Sequence, residues 1–202
     1  MDTMICVAAG LSSRMGAFKP LLPLGNSTII RMLIARYRAC DIEQIILVTG
    51  RDADILEEHV SDLGVRCCRN EEFATSDMLC SVKIGIRAYL TDCAEPQTND
   101  RILLTPCDIP LVRASTVEAL LDAPGGIRMP TTDGQTGHPL CLPHQVLERV
   151  LSYEGPCGLQ GALRALDAET TLVPVDDPGI LLDADTPDDY ERLKQLYQAR
   201  YA

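Results

Sequence analysis

The stretch MICVAAGLSSRMGAFKPLLPLG, Met4 to Gly25, joins an apolar run to a loop dense in glycine, serine and proline. In the run, residues 4–9, polar and apolar side chains do not alternate, which is typical of a strand buried on both faces. The loop carries two cations, Arg14 and Lys19. The stretch therefore predicts a buried strand that opens at its end into a positively charged, glycine-containing loop.

Further along the chain, continuous apolar runs alternate with segments of helical periodicity. The first half predicts strands at 44–50, 65–69 and 101–106, and helices at 27–40, 52–64, 77–90 and 114–123. The second half predicts strands in GIRMP, HPLCLP, TTLVPV and GILLD, and helices in HQVLERVLSY and GLQGALRAL and from Thr186 onward. Alternating strands and helices indicate a parallel sheet covered on both faces. We predict one α/β domain, a three-layer α/β/α sandwich with a mostly parallel sheet and an antiparallel excursion in the C-terminal half.

Composition restricts the class of protein and the kind of partner. The 202 residues are 46% hydrophobic and 23% charged, as expected for one soluble globular domain. No apolar run approaches the roughly 20 residues of a membrane helix, and the first residues lack a basic signal-peptide region. Nine scattered cysteines without metal-site spacing predict reduced thiols and a cytoplasmic location. A net charge of −11 argues against a nucleic-acid partner, whereas an anionic small molecule requires cations concentrated at its site.

Three separated segments are predicted to follow strands and to meet at one edge of the sheet. They are the loop after residue 9, CDIP at 107–110 and DADTP at 183–187. Ligands of parallel sheets bind outside the carboxyl ends of the strands. We therefore expect these segments to line one crevice.

The first loop fits neither of the common phosphate-binding patterns, G-x-G-x-x-G or G-x-x-x-x-G-K-[ST]. Gly10 and Gly16 nevertheless allow the backbone to approach an anion, and Arg14 and Lys19 supply charge. From these residues alone, a surface turn with solvated cations is an equally good interpretation.

Four segments together carry a resemblance to a known family. AAGLSSRMGAFKPLLPLG, TPCDIPLV, TGHPLCL and LLDADTPDDY resemble, in the same order, the motifs of nucleotidyltransferases with a glycosyltransferase-A-like fold. Among these, the chain is most similar to the MobA-like NTP transferases, in particular to their molybdenum cofactor cytidylyltransferase branch. The resemblance extends along nearly the whole chain.

The resemblance implies a role for individual positions. Those implied to bind the nucleotide are Ala9, Gly10, Ser13, Arg14, Gly16, Lys19, Ser81 and Asp108. Arg14, Lys19 and Asp108 are implied to be catalytic, Asp108 and Asp185 to hold Mg²⁺, which Mn²⁺ can replace, and His138 and Asp183 to lie on the acceptor side. Taken alone, Asp108 and Asp185 would more readily be a turn cap and a charge near the last helix, and Ser81 could be the start of a helix. His138 would as readily be a structural residue.

The implied reaction transfers a nucleoside monophosphate to an anionic acceptor such as the molybdopterin cofactor and releases pyrophosphate. AAG at 8–10 and SSRMG at 12–16 favour CTP over GTP, but Asp77 stands where relatives have glycine in the base-contacting segment 70–86. We expect a nucleotide-binding half at about 1–112 and an acceptor half at about 113–202. The alternatives are a sugar- or polyol-phosphate nucleotidyltransferase, a non-catalytic nucleotide-binding regulator and a dinucleotide-dependent oxidoreductase. The sequence is compatible with a homodimer and with a transient partner enzyme.

Overall fold

The computed structural model describes residues 1–11, 14–93, 99–166 and 170–201. Its strands are β1 (Asp2–Val7), β2 (Pro23–Leu24), β3 (Ser27–Thr28), β4 (Gln44–Thr49), β5 (Arg66–Arg69), β6 (Arg101–Pro106), β7 (Ile127–Thr132), β8 (Gln135–Thr136), β9 (Leu140–Pro143) and β10 (Thr170–Pro174). Its α-helices are α1 (Ile29–Arg38), α2 (Ala53–His59), α3 (Met78–Asp92), α4 (Ala114–Asp122), α5 (Leu147–Ser152), α6 (Gly158–Ala165) and α7 (Pro187–Tyr201). Among these residues, no helix combines the length and apolar character that a membrane crossing needs.

The main sheet has the strand order β10-β7-β9-β6-β1-β4-β5, with β8 paired to β7 and a separate hairpin of β2 and β3. The pairs β6–β1, β1–β4, β4–β5 and β7–β10 are parallel. Strand β9 runs antiparallel to both of its neighbours, β6 and β7. The predicted parallel sheet with an antiparallel excursion in the second half is thus confirmed.

Helices cover both faces of this sheet, because consecutive side chains of a buried strand point to opposite sides. From β1, Met4 and Cys6 pack with α1, α2 and α4, whereas Ile5 and Val7 pack with α3, α5 and α6. A side chain at Gly85 of α3 would lie 2.5 Å from Cγ2 of Ile5, so this glycine allows the helix to approach the strand closely. The three predicted layers are therefore present.

The predicted elements at 52–64 and in GILLD differ from the structure. The predicted helix at 52–64 is divided into α2 and a 3₁₀ turn at Ser61–Leu63, and Gly64 follows in a left-handed conformation. The segment GILLD is not a strand: residues Pro178–Ile180 form a 3₁₀ turn. The carboxylate of Asp177 accepts a hydrogen bond from Gly179 N, which closes the backbone into a turn. The prediction was wrong because a short apolar run indicates only that a segment is buried, and a buried turn has the same pattern as a buried strand.

Candidate nucleotide-binding and catalytic site

A cleft of about 340 Å³ lies at the carboxyl ends of β1 and β6. Three parts of the chain form its walls: the loop after β1, the segment from Phe73 into α3, and the Pro106–Asp108 turn after β6. Asp185, from the loop before α7, closes it. The three segments that the sequence placed at one edge of the sheet therefore meet in one crevice.

Lys19 lies at the centre of the charged residues in the cleft. Its Nζ lies 2.9 Å from Oδ2 of Asp108 and also donates to Oδ1 of Asp185. Arg14 pairs with the other oxygen of Asp185, at 2.5 Å from NH2 to Oδ2. The backbone holds the two aspartates together, because Ala184 N donates to the carbonyl of Asp108 at 3.1 Å.

Burial and charge act in opposite directions on these groups. Burial of Lys19 opposes its charged form, but the hydrogen bond to Asp185 and the charge of Asp108 outweigh burial and raise the pKa of the ammonium above its ordinary value. Burial of Asp185 likewise opposes its charge, but Lys19 and then Arg14 lower the pKa of this carboxyl. The lysine and Asp185 are therefore both charged at neutral pH, which suits binding of an anion together with a metal ion.

The loop after β1 is open toward the cleft. A side chain at Gly10 or Gly16 would meet nothing within 4 Å, and Gly16 has a φ of +68°, which glycine adopts without strain. Arg51, which sequence reasoning did not single out, donates to the carbonyl of Leu11 and holds the start of the loop against the end of β4. Ser13, which the resemblance implied to bind the nucleotide, lies outside the described residues.

Ser81 is buried at the start of α3 and lines the cleft, as does Ala9 at the end of β1. The hydroxyl of Ser81 accepts a hydrogen bond from Nδ2 of Asn70 at 2.9 Å. Asn70 is 2% exposed and was not among the predicted site residues. Its position directly after β5, at a strand end, is the signal that could have identified it.

His138 and Asp183 do not form part of the cleft wall. His138 N donates to the carbonyl of Ile180 at 3.0 Å, and burial lowers the pKa of its imidazole. Asp183 Oδ1 accepts from Asp185 N at 3.2 Å, and burial together with the charge of Asp185 raises the pKa of Asp183. Both residues therefore support the segment that carries Asp185, and their acceptor-side roles stay predictions.

The two carboxylates suit a hard divalent cation that takes only one or two of its ligands from the protein. Within the described part of the chain, no cluster of three or more His, Cys, Asp or Glu side chains is arranged to hold a metal ion. Asp108 and Asp185, however, both reach the ammonium nitrogen of Lys19, so their oxygens converge on one position of positive charge. Mg²⁺ is commonly held by one or two carboxylates, with phosphate oxygens and water completing the coordination.

Comparison with known proteins agrees with this geometry. Residues 4–173 match the MobA-like NTP transferase domain. The chain is 30% identical to the molybdenum cofactor cytidylyltransferase of Escherichia coli K12, over 96% of this chain and 95% of that protein.

Solved structures share the fold over nearly the whole chain. A nucleotidyl transferase from Methanothermobacter has a TM-score of 0.83 at 23% identity and covers 99% of both chains. The protein Rv0371c of Mycobacterium tuberculosis, in complex with manganese, has a TM-score of 0.75 at 23% identity and covers 96% of this chain and 97% of its own. The predicted resemblance is thus confirmed: the chain belongs to the MobA-like NTP transferase family and is a nucleotidyltransferase.

Proposed function

We propose that this nucleotidyltransferase transfers CMP from CTP to the phosphate of a molybdopterin-type acceptor and releases pyrophosphate. The observation that carries the proposal is the position of Lys19 between Asp108 and Asp185 in a cleft that also contains Arg14. Similarity to the molybdenum cofactor cytidylyltransferase of E. coli supports the choice of donor and acceptor.

The reaction joins two anions, so catalysis consists mostly of positioning and of charge neutralisation. The acceptor phosphate attacks the α-phosphorus in line with the bond that breaks, and pyrophosphate takes the electron pair of that bond. Arg14 offers a planar fork for phosphate oxygens, and Lys19 offers a buried point charge. Both are positioned to neutralise the charge that develops on the leaving pyrophosphate.

We propose that Asp108 and Asp185 hold Mg²⁺, which Mn²⁺ can replace. The manganese complex of the Mycobacterium tuberculosis neighbour supports a divalent ion in this fold. A bound Mg²⁺ would neutralise phosphate oxygens and lower the barrier to attack. Hydrogen bonds from Lys19 to both aspartates also stabilise the charged form of the lysine and fix the position of its side chain.

We further propose that residues 1–112 bind the nucleotide and that residues 113–202 form the acceptor side. Apart from Asp185, every residue that lines the cleft belongs to the first of these ranges. The nine cysteines are free thiols, which suits a reducing cytoplasm.

Pyrophosphate release tests the proposal. We would measure it with CTP, GTP, ATP and UTP against molybdopterin-type, sugar-phosphate and polyol-phosphate acceptors, with Mg²⁺ and with excess chelator. We expect turnover only with the metal, and the fastest turnover with CTP and the molybdopterin-type acceptor. Faster turnover with a sugar phosphate would refute the proposed acceptor, and turnover in chelator would refute the metal.

A further inference from the structure

A cavity of about 460 Å³ lies at the edge of the main sheet opposite the catalytic cleft. Its walls include Arg101 at the start of β6, Arg128 near the start of β7 and Pro143 at the end of β9. Strand β9 runs antiparallel to β6 and β7, so these three positions share one edge of the sheet. Strand β6 has 6 residues and spans roughly 20 Å between this cavity and the cleft.

Arg128 is a buried cation that no carboxylate compensates. It is 9% exposed and lines the cavity. NH1 donates to Sγ of Cys141 at 3.2 Å and NH2 to the carbonyl of Gly125 at 3.1 Å, whereas Nε has no acceptor in the described part of the chain. Among the ion pairs of the described residues, none includes Arg128. Its guanidinium therefore keeps spare N–H groups and an uncompensated positive charge.

The carboxylates around this cavity already have cationic partners. Asp100, which lines the cavity, forms an ion pair with the amino group of Met1. Asp2 accepts from Nε and from NH2 of Arg101, each at 2.7 Å. These two pairs neutralise their own charges and leave the charge of Arg128 over.

A phosphate group satisfies this arrangement. Its oxygens accept hydrogen bonds from a guanidinium in pairs, and its negative charge compensates the buried cation. Asn99 and Arg101 line the same cavity and carry further N–H donors. The volume of the cavity lies in the range of small-molecule sites, so it admits more than a single inorganic phosphate.

We propose that this cavity is a second anion site, in which Arg128 binds the phosphate group of a small molecule such as pyrophosphate or a phosphate ester. Arg128 supplies the charge, and Asn99 and Arg101 supply additional N–H groups. The site lies at the other edge of the sheet from Arg14 and Lys19, so it is independent of the proposed reaction.

The test must separate this cavity from the catalytic cleft, which also attracts anions. We would titrate the double variant Arg14→Ala Lys19→Ala, which lacks the cations of the cleft, with inorganic phosphate and with pyrophosphate by calorimetry. We expect one site of millimolar or tighter affinity. Addition of Arg128→Met, a side chain of similar length without charge, should weaken binding at least about tenfold. Arg164→Met, an exposed arginine of α6 outside the cavity, is the matched control and should leave the affinity unchanged.

The two titrants distinguish the class of ligand. Tighter binding of pyrophosphate identifies a diphosphate, and equal affinities identify a single phosphate group; both support the site. Phosphate should also raise the Tm of the double variant, and this rise should disappear when Arg128→Met is added. An equal rise in the two proteins, or equal phosphate affinity with and without Arg128, would overturn the proposal.

Diffraction gives a measurement that needs no variant. Wild-type crystals soaked in selenate should show an anomalous peak within hydrogen-bond distance of the Arg128 guanidinium, apart from any peak at Arg14 and Lys19. Peaks confined to the cleft would overturn the proposal. A peak at Arg128 without calorimetric binding at millimolar phosphate would mean an adventitious ion only and would overturn it as well. Should Arg128→Met fail to fold, the selenate peak decides.

Discussion

Lys19 Nζ lies 2.9 Å from Oδ2 of Asp108, although 89 positions separate the two residues along the chain. Both residues line the cleft, and both side chains are largely buried. The ammonium of Lys19 and the carboxylates of Asp108 and Asp185 neutralise one another. In the proposed reaction, a nucleotide and a divalent ion would take the place of these mutual contacts. The contribution of each group to catalysis can therefore be tested separately from its contribution to stability.

Removal of the carboxylate of Asp108 should sharply reduce turnover and preserve the fold. In Asp108→Asn, the amide binds a divalent cation poorly, so we expect kcat/KM to fall by at least about 100-fold. Lys19 keeps Asp185 as its partner, so Tm should change by less than about 4 °C. Steady-state kinetics and thermal unfolding check both values. Full activity of this variant would contradict the metal assignment.

Arg14→Ala should reduce catalysis without loss of stability. The side chain of Arg14 is 71% exposed, and exposed ion pairs contribute little to stability. Loss of a fork that neutralises phosphate charge should cost about 3 kcal/mol in the transition state, or roughly 100-fold in kcat/KM. Arg87→Ala, an exposed arginine of α3 outside the cleft wall, is the control.

Lys19→Ala should reduce kcat/KM by a similar factor of roughly 100, because a buried point charge is lost. This variant also leaves the carboxylate of Asp108 without its cation and leaves Asp185 with Arg14 alone. Added Mg²⁺ should therefore raise Tm more in Lys19→Ala than in the wild type. Wild-type kcat/KM in both the Arg14 and Lys19 variants would mean that the loop is only a turn.

CTP should be used in preference to GTP. Ala9 is buried in the cleft wall, and its methyl group leaves less room for a purine than a glycine would. One methyl group is worth about 1 kcal/mol of discrimination, so Ala9→Gly should narrow the preference several-fold. Competition between equimolar CTP and GTP measures the ratio. A majority of guanylylated product from the wild type would contradict the prediction.

Acidification should destabilise the protein through His138. Burial lowers the pKa of this imidazole below its ordinary 6.5, so the unfolded chain takes up the proton more readily than the folded chain does. The stability that neutral His138 provides is complete above pH 6.5 and is lost as pH falls from 6.5 toward the folded-state pKa. Denaturant unfolding at pH 7.0 and at pH 5.5 gives the loss of unfolding free energy on acidification. We expect this loss to be smaller in His138→Gln than in the wild type. Equal changes in the two proteins would contradict this cause.

The ion pair between Arg200 and Asp177 should be the ion pair that contributes most to holding α7 against the rest of the domain. Asp177 is 1% exposed, and its carboxylate accepts from Arg200, Arg113 N and Thr116 Oγ1. Arg200→Ala leaves a buried charge short of a partner and should cost about 3 kcal/mol of unfolding free energy. Arg192→Ala, an exposed arginine of the same helix, should cost much less. Equal losses, measured by denaturant unfolding, would contradict the prediction.

The amino-acid sequence determined most of the elements of this protein and pointed to the charged residues that line its cleft. Strands β1, β4 and β6 are continuous apolar runs, and Thr186 and Pro187 mark the start of α7. Such signals are local, because burial of a strand and capping of a helix depend on residues a few positions apart. Local patterns predicted the α/β sandwich, and the family resemblance of the four motifs implied Arg14, Lys19, Asp108 and Asp185 as site residues.

Only the tertiary structure decided how these residues meet. The contacts of Lys19 with both aspartates depend on β1 and β6 being neighbours in the sheet, and on Ala184 N bonding to the Asp108 carbonyl. The hydrogen bond from Asn70 to Ser81 likewise depends on groups that folding brings together. The turn in GILLD depends on the bond from Gly179 N to Asp177. Packing between distant segments determines which side chains pair and how they are oriented. A local pattern of apolar and polar residues does not indicate which distant group will bond to a buried donor or charge.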